Sequence, residues 1–338
     1  MTPLVIEADA GWFGGRTLRR RVRATAYADG RPWRLGGPVP RAGLRLRVDG
    51  VLVPGLVDHH VHVDQIDPVA LLAGGVSGVR DLGSPPDAGL ALALRSRHDP
   101  GLPGVVAAGP FLTAPGGYPS DRAWAAEGSF RPVEDPADAI RAVTALVAEG
   151  VGLVKVALNA DAGPVLDDPT LLAVVRTARS AGLPVVAHAQ GERQAHRALA
   201  AGVDELAHTP WTERLPDRVV RAFAVLTRWT STLDIHGWGV PTQESATALD
   251  NLRRFHRAGG RVRYGTDLGN GPLPLGVNPR ELSALAEAGL SAAHIVAALA
   301  VSTTDLAVLP GDPLADPLMT SRVASVVRAG RYQERTRV

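Results

Sequence analysis

The chain has 338 residues, 36 basic and 34 acidic side chains, 45% hydrophobic residues and no cysteine. This length is enough for one large core with a smaller accessory unit, and the absence of cysteine excludes disulfides, thiolate metal sites and a cysteine nucleophile. The net charge of +2, with no basic run longer than the three arginines at 19–21, argues against a nucleic-acid partner.

The two ends of the chain are predicted to form one small unit. Apolar and polar residues largely alternate over 17–27 and 43–49, which is typical of antiparallel strands with one solvent-facing side. Residues 305–309 and 322–328 supply two further strand candidates. We predict that residues 1–50 and 305–338 together form a small β-sandwich.

The central part of the chain, residues 51–304, alternates β-rich runs with segments of helical periodicity. Strands in succession, separated by helices, are typical of a parallel α/β fold, and eight such units predict a (β/α)₈ barrel. The active site of such a barrel lies at the carboxyl ends of its strands. The predicted strand runs are 51–63, 78–82, 104–112, 152–159, 184–190, 203–208, 226–235 and 261–268.

Helix boundaries are marked by short polar and glycine signals. An aspartate or asparagine followed by proline fits an N-cap with proline in the first turn. Glycine tolerates the left-handed turn that ends a helix, and we expect helix ends at glycines 150, 182, 202, 259 and 289. The predicted helix starts are Asp67-Pro68, Asp135-Pro136, Asp168-Pro169 and Asn278-Pro279.

Two histidines stand out at the end of the first barrel strand. Residues 54–62 read Pro-Gly-Leu-Val-Asp-His-His-Val-His. Since side chains at i and i+2 share one face of a strand, His60 and His62 should point together into the barrel mouth, while His59 points away. Two imidazoles so placed can chelate a divalent metal.

Three further candidates fall at the ends of later predicted strands. They are His188, His208 and Asp267. A single histidine at a strand end is more often structural, but three ligand-type residues converging on one barrel mouth favour a metal site. The other histidines, at positions 98, 196, 256 and 294, lie in or beside predicted helices and are interpreted as surface residues.

Lys155 is the only lysine of the chain and lies within the apolar run 152–159. Burial should lower its pKa and make the neutral amine available. The amine can then react with CO₂ to give a carbamate able to bridge two metal ions. Two alternatives remain: an ion pair with Asp267 or Asp58, and a Schiff-base lysine of a barrel lyase, which needs no metal.

These motifs together resemble the amidohydrolase superfamily over nearly the whole chain. The resemblance rests on the Pro-Gly-Leu-Val-Asp-x-His-x-His run, the lysine on strand four, the histidines on strands five and six, and the aspartate on strand eight. The run 305–314 resembles the return into the terminal unit. Residues 71–83 and 152–156 resemble the imidazolonepropionase-like and metal-dependent prolidase branch.

The resemblance implies two divalent metal ions, usually zinc, bridged by a hydroxide and a carboxylated lysine. Carried over by position, His60, His62 and Asp267 would bind the first ion, His188 and His208 the second, and Lys155 both. It implies hydrolysis of an amide, peptide or cyclic-amide C–N bond. Asp267 would take the proton of the attacking water and deliver it to the leaving nitrogen.

The sequence also departs from related dipeptidases. Residues 115–118 read Pro-Gly-Gly-Tyr where Thr-Gly-Gly-His is often found, position 190 is glutamine rather than histidine, and the glycine-rich stretch near 300–304 is nearly absent. These changes leave the substrate open. Substrate contacts are expected from loop residues at the barrel mouth: Arg80, Tyr118, Gln190, Trp211, His236 and Trp238. Arg80 is equally interpretable as a partner of Asp81.

The expected context is a cytoplasmic enzyme acting on a small molecule. No segment approaches the roughly 20 apolar residues of a membrane span, and residues 1–15 contain Glu7 and Asp9 where a signal peptide would be basic and then apolar. We therefore expect neither a membrane nor a nucleic-acid partner. The sequence does not decide whether the protein forms a homo-oligomer. A Schiff-base lyase using Lys155 and a non-catalytic barrel scaffold remain the alternative functions.

Overall fold

The structure of the protein is a computed structural model that describes residues 2–334. Residues 335–338, which end the predicted terminal unit, and Met1 lie outside the described residues. The helices are α1 (Pro68–Ala73), α2 (Gly89–Ser96), α3 (Pro136–Glu149), α4 (Asp168–Ser180), α5 (Gln194–Ala201), α6 (Asp217–Leu226), α7 (Gln243–Arg257), α8 (Pro279–Glu287) and α9 (Ala292–Leu299).

The strands divide into those of the central barrel and those of the two flanks. The flanking strands are β1 (Leu4–Gly11), β2 (Arg19–Ala26), β3 (Arg34–Leu35), β4 (Leu44–Pro54), β15 (Leu306–Leu309), β16 (Ser325–Arg328) and β17 (Arg331–Glu334). The central strands are β5 (Leu56–Val61), β6 (Val76–Asp81), β7 (Gly104–Ala107), β8 (Phe111–Thr113), β9 (Phe130–Pro132), β10 (Val154–Asn159), β11 (Val185–Gln190), β12 (Glu205–Leu206), β13 (Arg228–Thr230) and β14 (Arg261–Arg263).

The central strands form a parallel barrel, as predicted. One sheet has the order β5-β6-β7, and the other continues β8-β10-β11-β12-β13-β14 with β9 attached to β8. The predicted third run, 104–112, is therefore broken into β7 and β8, which explains why two sheets stand in place of one. The backbone N–H of Ala108 donates to the Asp81 carbonyl and that of Gly152 donates to Ala107, so hydrogen bonds cross the break.

The barrel closes between its first strand and the segment that follows its last. The backbone N–H of His62 donates to the Leu268 carbonyl at 2.8 Å, and that of Asp267 donates to the His60 carbonyl at 2.8 Å. A parallel bridge also joins Val61 to Leu268. Closure thus occurs at residues that carry, or adjoin, the predicted metal ligands.

The flanks of the chain form one seven-stranded sheet, in the order β17-β16-β15-β4-β1-β2-β3. Neighbouring strands are antiparallel except β1 and β4, which run parallel with a register shift at Ala8 and Ala10. Strand β4 extends to Pro54, four residues beyond the predicted end of the N-terminal part. Apolar residues from both halves of the sheet meet in one buried cluster that includes Ile6, Leu52 and Val308.

The helix-start signals are confirmed at three of the four predicted positions. Asp67, Asp135 and Asn278 each cap a helix by accepting a hydrogen bond from a backbone N–H in the first turn. For α4 the cap is Asp167, which accepts from the Thr170 N–H at 2.8 Å, while Asp168 is the first helical residue. The cap therefore lies one residue earlier than predicted.

Helix packing against the barrel is dominated by apolar and aromatic side chains. Trp229 of β13 stacks on Phe255 of α7 with ring centres 4.0 Å apart, and Phe223 of α6 meets it edge-on. Gly150 ends α3 in the left-handed conformation, with φ of 82°, as expected for that signal. Among residues 2–334, no helix combines the length and apolar content needed to cross a membrane.

Glu281 provides a test of how α8 is anchored. Its buried carboxylate accepts a hydrogen bond from the Asp234 N–H at 2.8 Å, and burial raises the pKa of Glu281 from 4.5 to about 7. The folded protein then binds this proton more tightly than the unfolded chain, so this group's contribution to stability should fall as pH rises from 4.5 to about 7.

We expect Glu281→Gln to remove that loss, because glutamine keeps an acceptor for the Asp234 N–H without a buried charge. At pH 8 the variant should exceed the wild type by about 3 kcal/mol in free energy of unfolding, and the difference should vanish near pH 4. Urea denaturation at both pH values measures it, with the exposed Glu287→Gln as the matched control. An identical pH dependence for variant and wild type would contradict the assignment.

Candidate metal centre

Two histidines of the first barrel strand point together into the barrel mouth. Strand β5 and the residue after it carry His60 and His62, whose ring centres lie 5.3 Å apart. Nδ1 of His60 lies 2.9 Å from the Ala207 carbonyl oxygen, and Nδ1 of His62 lies 2.8 Å from that of Gly83. Because a carbonyl oxygen only accepts hydrogen bonds, each Nδ1 donates and each Nε2 is left to face the cavity.

The carboxylate of Asp267 faces both of these Nε2 atoms. Asp267 Oδ1 lies 2.8 Å from Nε2 of His60 and 3.2 Å from Nε2 of His62. Asn270 Nδ2 donates to Asp267 Oδ2 at 2.9 Å. Asp267 has a φ of 59°, a left-handed conformation that a residue with a side chain adopts only when its surroundings enforce it. Backbone and side-chain contacts together fix this carboxylate between the imidazoles.

His188 and His208 complete a group of four histidines. Nδ1 of His208 lies 2.9 Å from Thr232 Oγ1, and Nε2 of His188 lies 3.3 Å from Gln190 Oε1. Since that amide oxygen accepts, Nε2 of His188 donates and its Nδ1 keeps a free lone pair. The His208 ring centre lies 4.6 Å from that of His60 and 5.0 Å from that of His188.

Burial keeps three of these histidines neutral at neutral pH. It lowers the pKa of His60 to about 4 and that of His188 to about 3, and it holds the pKa of His208 well below its usual value. His62 differs: burial alone would lower its pKa, but the hydrogen bond with Asp267 outweighs this and raises it. Neutral imidazoles offer lone pairs, which is the form that binds a divalent cation.

A metal-type arrangement follows from these positions. His60, His208 and Asp267 each offer one ligand atom, and the three atoms lie within 4.8 Å of one another. Although His60 Nε2 is 2.8 Å from the Asp267 carboxylate, it is buried and makes no hydrogen bond. A buried nitrogen beside an oxygen without a shared hydrogen is the geometry expected of two ligands of one cation.

Lys155 lies in strand β10 beside this group and is 1% exposed. Burial lowers the pKa of Lys155 to about 7. Its Nζ lies 5.6 Å from the centre of the Phe111 ring, and no hydrogen bond or ion pair to it is found within residues 2–334. A cationic ammonium is therefore poorly stabilised at this position.

The ion pairs considered for this lysine are not formed. Asp58 instead accepts hydrogen bonds from the His60 N–H at 3.0 Å, the Thr266 N–H at 3.1 Å and the Thr266 hydroxyl at 2.6 Å. Asp267 contacts histidines, as described above. Asp58 thus ties the first barrel strand to the segment after β14 and does not neutralise Lys155.

A cavity of about 400 Å³ opens above these residues. Four of the six expected substrate contacts line it: Tyr118, Gln190, Trp211 and His236. The predicted metal ligands His60, His62, Lys155, His188, His208 and Asp267 all line it as well. Residues that the sequence did not single out complete the wall, namely Gln65, Phe111, Trp124, Ile235, Gly269, Asn270 and Gly271.

Arg80 does not line this cavity, and neither role expected for it matches its contacts. Its Nη1 donates to both carboxylate oxygens of the buried Glu205, at 2.7 and 2.9 Å. Arg263 contacts the same carboxylate at 3.0 Å, and the Thr230 hydroxyl donates to it at 2.7 Å. Arg80 is therefore part of an ion network inside the barrel, and Asp81 is bonded to Ser84 instead.

Trp238 also lies outside the cavity lining and is 43% exposed. Among the residues that sequence reasoning missed, Asn270 had a usable signal, because it follows Asp267 by three residues in the same loop. Phe111 also had a signal, because it lies at the carboxyl end of the predicted third strand run, 104–112. Trp124 had none, since it stands in a loop without periodicity. Gln190, noted as a departure, accepts from Asn159 Nδ2 at 2.9 Å beside His188.

Comparison with known proteins gives a family match over the whole barrel. The model of the amidohydrolase family matches residues 51–305. No curated protein matches the chain. The match covers every barrel strand and all six predicted metal-site residues.

Solved structures are similar over almost the full chain. A Xaa-Pro dipeptidase with bound methionine has a TM-score of 0.79 at 20% identity, covering 98% of this chain and 100% of that one. The A. niger ochratoxinase has a TM-score of 0.79 at 18% identity, covering 98% and 96%. Phenylurea hydrolase B has a TM-score of 0.74 at 18% identity, covering 99% of this chain and 97% of that one. At such identities the likeness establishes the fold, and it confirms the predicted barrel class.

The Arg80–Glu205–Arg263 network predicts a stability effect. Glu205→Gln leaves two buried or half-buried guanidinium groups without their carboxylate, so we expect the free energy of unfolding to fall by about 3–5 kcal/mol. Asp9→Asn, which breaks the exposed pair with Arg47, is the matched control and should cost less than about 1 kcal/mol. Urea denaturation of both variants decides this, and equal small losses would show that the network is not needed for folding.

Proposed function

The chain belongs to the amidohydrolase family, and we propose that it is a metal-dependent hydrolase that cleaves the C–N bond of a small molecule. The family and the fold support this class of enzyme. The observation that carries the proposal is the meeting of four histidines and one carboxylate with a buried, unpaired lysine in one cavity at the carboxyl ends of the barrel strands.

The donor set fits divalent metal ions, with zinc as our choice. Imidazole nitrogens and a carboxylate oxygen are ligands that zinc prefers. We assign His60, His62 and Asp267 to one ion, and His188 and His208 to a second. Lys155, as a carbamate, would contribute to both. Two dications held close need an anion between them, and an ammonium at this position would repel both.

The side chains of the cavity have separate tasks in the proposed reaction. Bound divalent ions supply Lewis acidity that polarises a carbonyl and acidifies a water. The carboxylate of Asp267 is the proton carrier: it accepts a proton from the attacking water and returns it to the leaving nitrogen. Asn270 holds Oδ2 of this carboxylate. The surrounding aromatic side chains limit access of bulk water to the reacting groups.

The expected setting is the cytoplasm, and a small-molecule substrate accords with the size of the cavity. About 400 Å³ lies within the range of about 300–1,000 Å³ usual for ligand pockets. A Schiff-base lyase would also use a lysine of lowered pKa, but it gives no role to the four histidines around Lys155.

Metal content tests the ligand assignment. Protein produced with zinc and bicarbonate should carry about two divalent ions per chain, and Lys155→Ala should lose most of them because the bridging anion is gone. Elemental analysis after dialysis measures both, with Arg176→Ala, an exposed arginine of α4, as the control that should keep full occupancy. Wild-type protein without bound metal after this preparation would overturn the metal-dependent proposal.

Asp267→Asn tests the proton carrier. The amide keeps the size of the side chain and one oxygen ligand but cannot take up the proton, so turnover should fall by about 10² or more. The comparison is valid at equal metal content, which elemental analysis of the variant establishes. A variant with normal metal content and near wild-type turnover would show that another residue carries the proton.

A further inference from the structure

Aromatic side chains are concentrated in the cavity wall above the ligand group. Phenylalanine, tryptophan and tyrosine make up only 4% of the chain, yet four of them, together with Ile235, line this one cavity. They are Phe111, Tyr118, Trp124 and Trp211. This concentration points to an apolar, planar group in the ligand, since aromatic rings gain most from contact with other flat, apolar surfaces.

The aromatic residues contact the histidines in two groups. Tyr118 stacks on His188 with ring centres 5.3 Å apart, and Trp124 lies 5.9 Å from Tyr118. Trp211 lies 5.3 Å from His208, 5.7 Å from His188 and 4.8 Å from His236. A ligand whose reacting bond reaches the histidines therefore lies beside aromatic side chains of both groups.

The side chains of the same wall offer no cation for a substrate carboxylate. No arginine lines the cavity among the described residues, and its only lysine is Lys155. Arg122 lies over the outer aromatic residue Tyr118, with its guanidinium 5.9 Å from the ring centre, but it is not part of the cavity lining and is paired with Asp121 at 3.3 Å. Arg80, which the sequence predicted as a substrate contact, is bound to Glu205.

The remaining polar groups of the wall are uncharged. Gln65, Gln190 and Asn270 present amides, which form hydrogen bonds with neutral carbonyl or N–H groups. Divalent ions bound at the histidines would be occupied by the carbonyl of the scissile bond, so a carboxylate elsewhere in this cavity would lose its hydration without a cationic side chain to pair with, and that loss opposes binding. An uncharged amide with an aromatic substituent meets no such cost.

We propose, resting on the function proposed above, that the substrate is an uncharged aromatic amide and that the cavity discriminates against substrates with a free carboxylate. The class includes aryl amides and N-acyl amides whose other end is neutral. Dipeptides and N-acyl amino acids, which carry a carboxylate next to the scissile bond, fall outside it.

Matched pairs of compounds test this in the zinc-loaded enzyme. N-benzoylglycinamide and N-benzoylglycine share the same scissile bond, between the benzoyl carbonyl and the glycine nitrogen. At the other end the first carries a neutral amide and the second a carboxylate. N-acetylphenylalaninamide and N-acetylphenylalanine repeat the comparison with the ring on the amine side. We expect kcat/KM to be at least about 10-fold higher for the neutral member of whichever pair is accepted. Equal values, or a preference for the carboxylate, would overturn the inference.

Trp211→Ala separates aromatic recognition from general damage to the site. It should lower kcat/KM for N-benzoylglycinamide by about 10-fold while changing that for N-acetylglycinamide, which lacks the ring, much less. An equal loss for both compounds would overturn the role of the aromatic wall.

The test also distinguishes this inference from the proposed function. If no compound is hydrolysed, calorimetric binding of the same pairs to the zinc-loaded protein replaces turnover. Tighter binding of the neutral members would then support the substrate class while the hydrolase proposal loses its support. Tighter binding of the carboxylates would overturn the substrate class itself.

Discussion

The contact between the Asp267 carboxylate and the two imidazoles of His60 and His62 is the interaction on which the site depends. It joins the first barrel strand to the segment after the last one, where backbone hydrogen bonds between His60 and Asp267 and between His62 and Leu268 close the barrel. The left-handed backbone of Asp267 is held by this closure. Barrel closure and ligand placement are therefore one structural event, and a change that loosens one loosens the other.

Charge is divided between two levels inside the barrel. At the cavity, burial keeps His60, His188 and His208 neutral. Asp267 supplies the carboxylate that faces the cavity. Within the barrel, the single carboxylate of Glu205 pairs with the guanidinium groups of both Arg80 and Arg263. Burial is the main cause of the lowered pKa of Lys155; Asp267 and Glu205 act against it, and Arg80 lowers the pKa further. The ion network thus leaves the lysine without a counter-ion of its own.

Local signals in the sequence predicted the features that depend on a few neighbouring residues. Period-two alternation put His60 and His62 on one face, and strand ends identified His188, His208 and Asp267, because a parallel barrel brings all strand ends to one rim. Asp-Pro and Asn-Pro pairs marked helix starts to within one residue. The sequence could not predict ion pairs between side chains on different barrel strands. Arg80 and Glu205 are 125 positions apart, and no local pattern links them.

The proposed function requires that these side chains hold divalent ions around a modified Lys155. Anomalous X-ray diffraction at the zinc edge, from crystals grown with zinc and bicarbonate, tests it most directly. We expect two anomalous peaks, one between His60, His62 and Asp267 and one at His188 and His208, with density beyond Lys155 Nζ reaching both. Because the chain has one lysine, any carbamate on a lysine is at this position. Peaks elsewhere, or two ions beside an unmodified amine without a bridging anion, would contradict the claim.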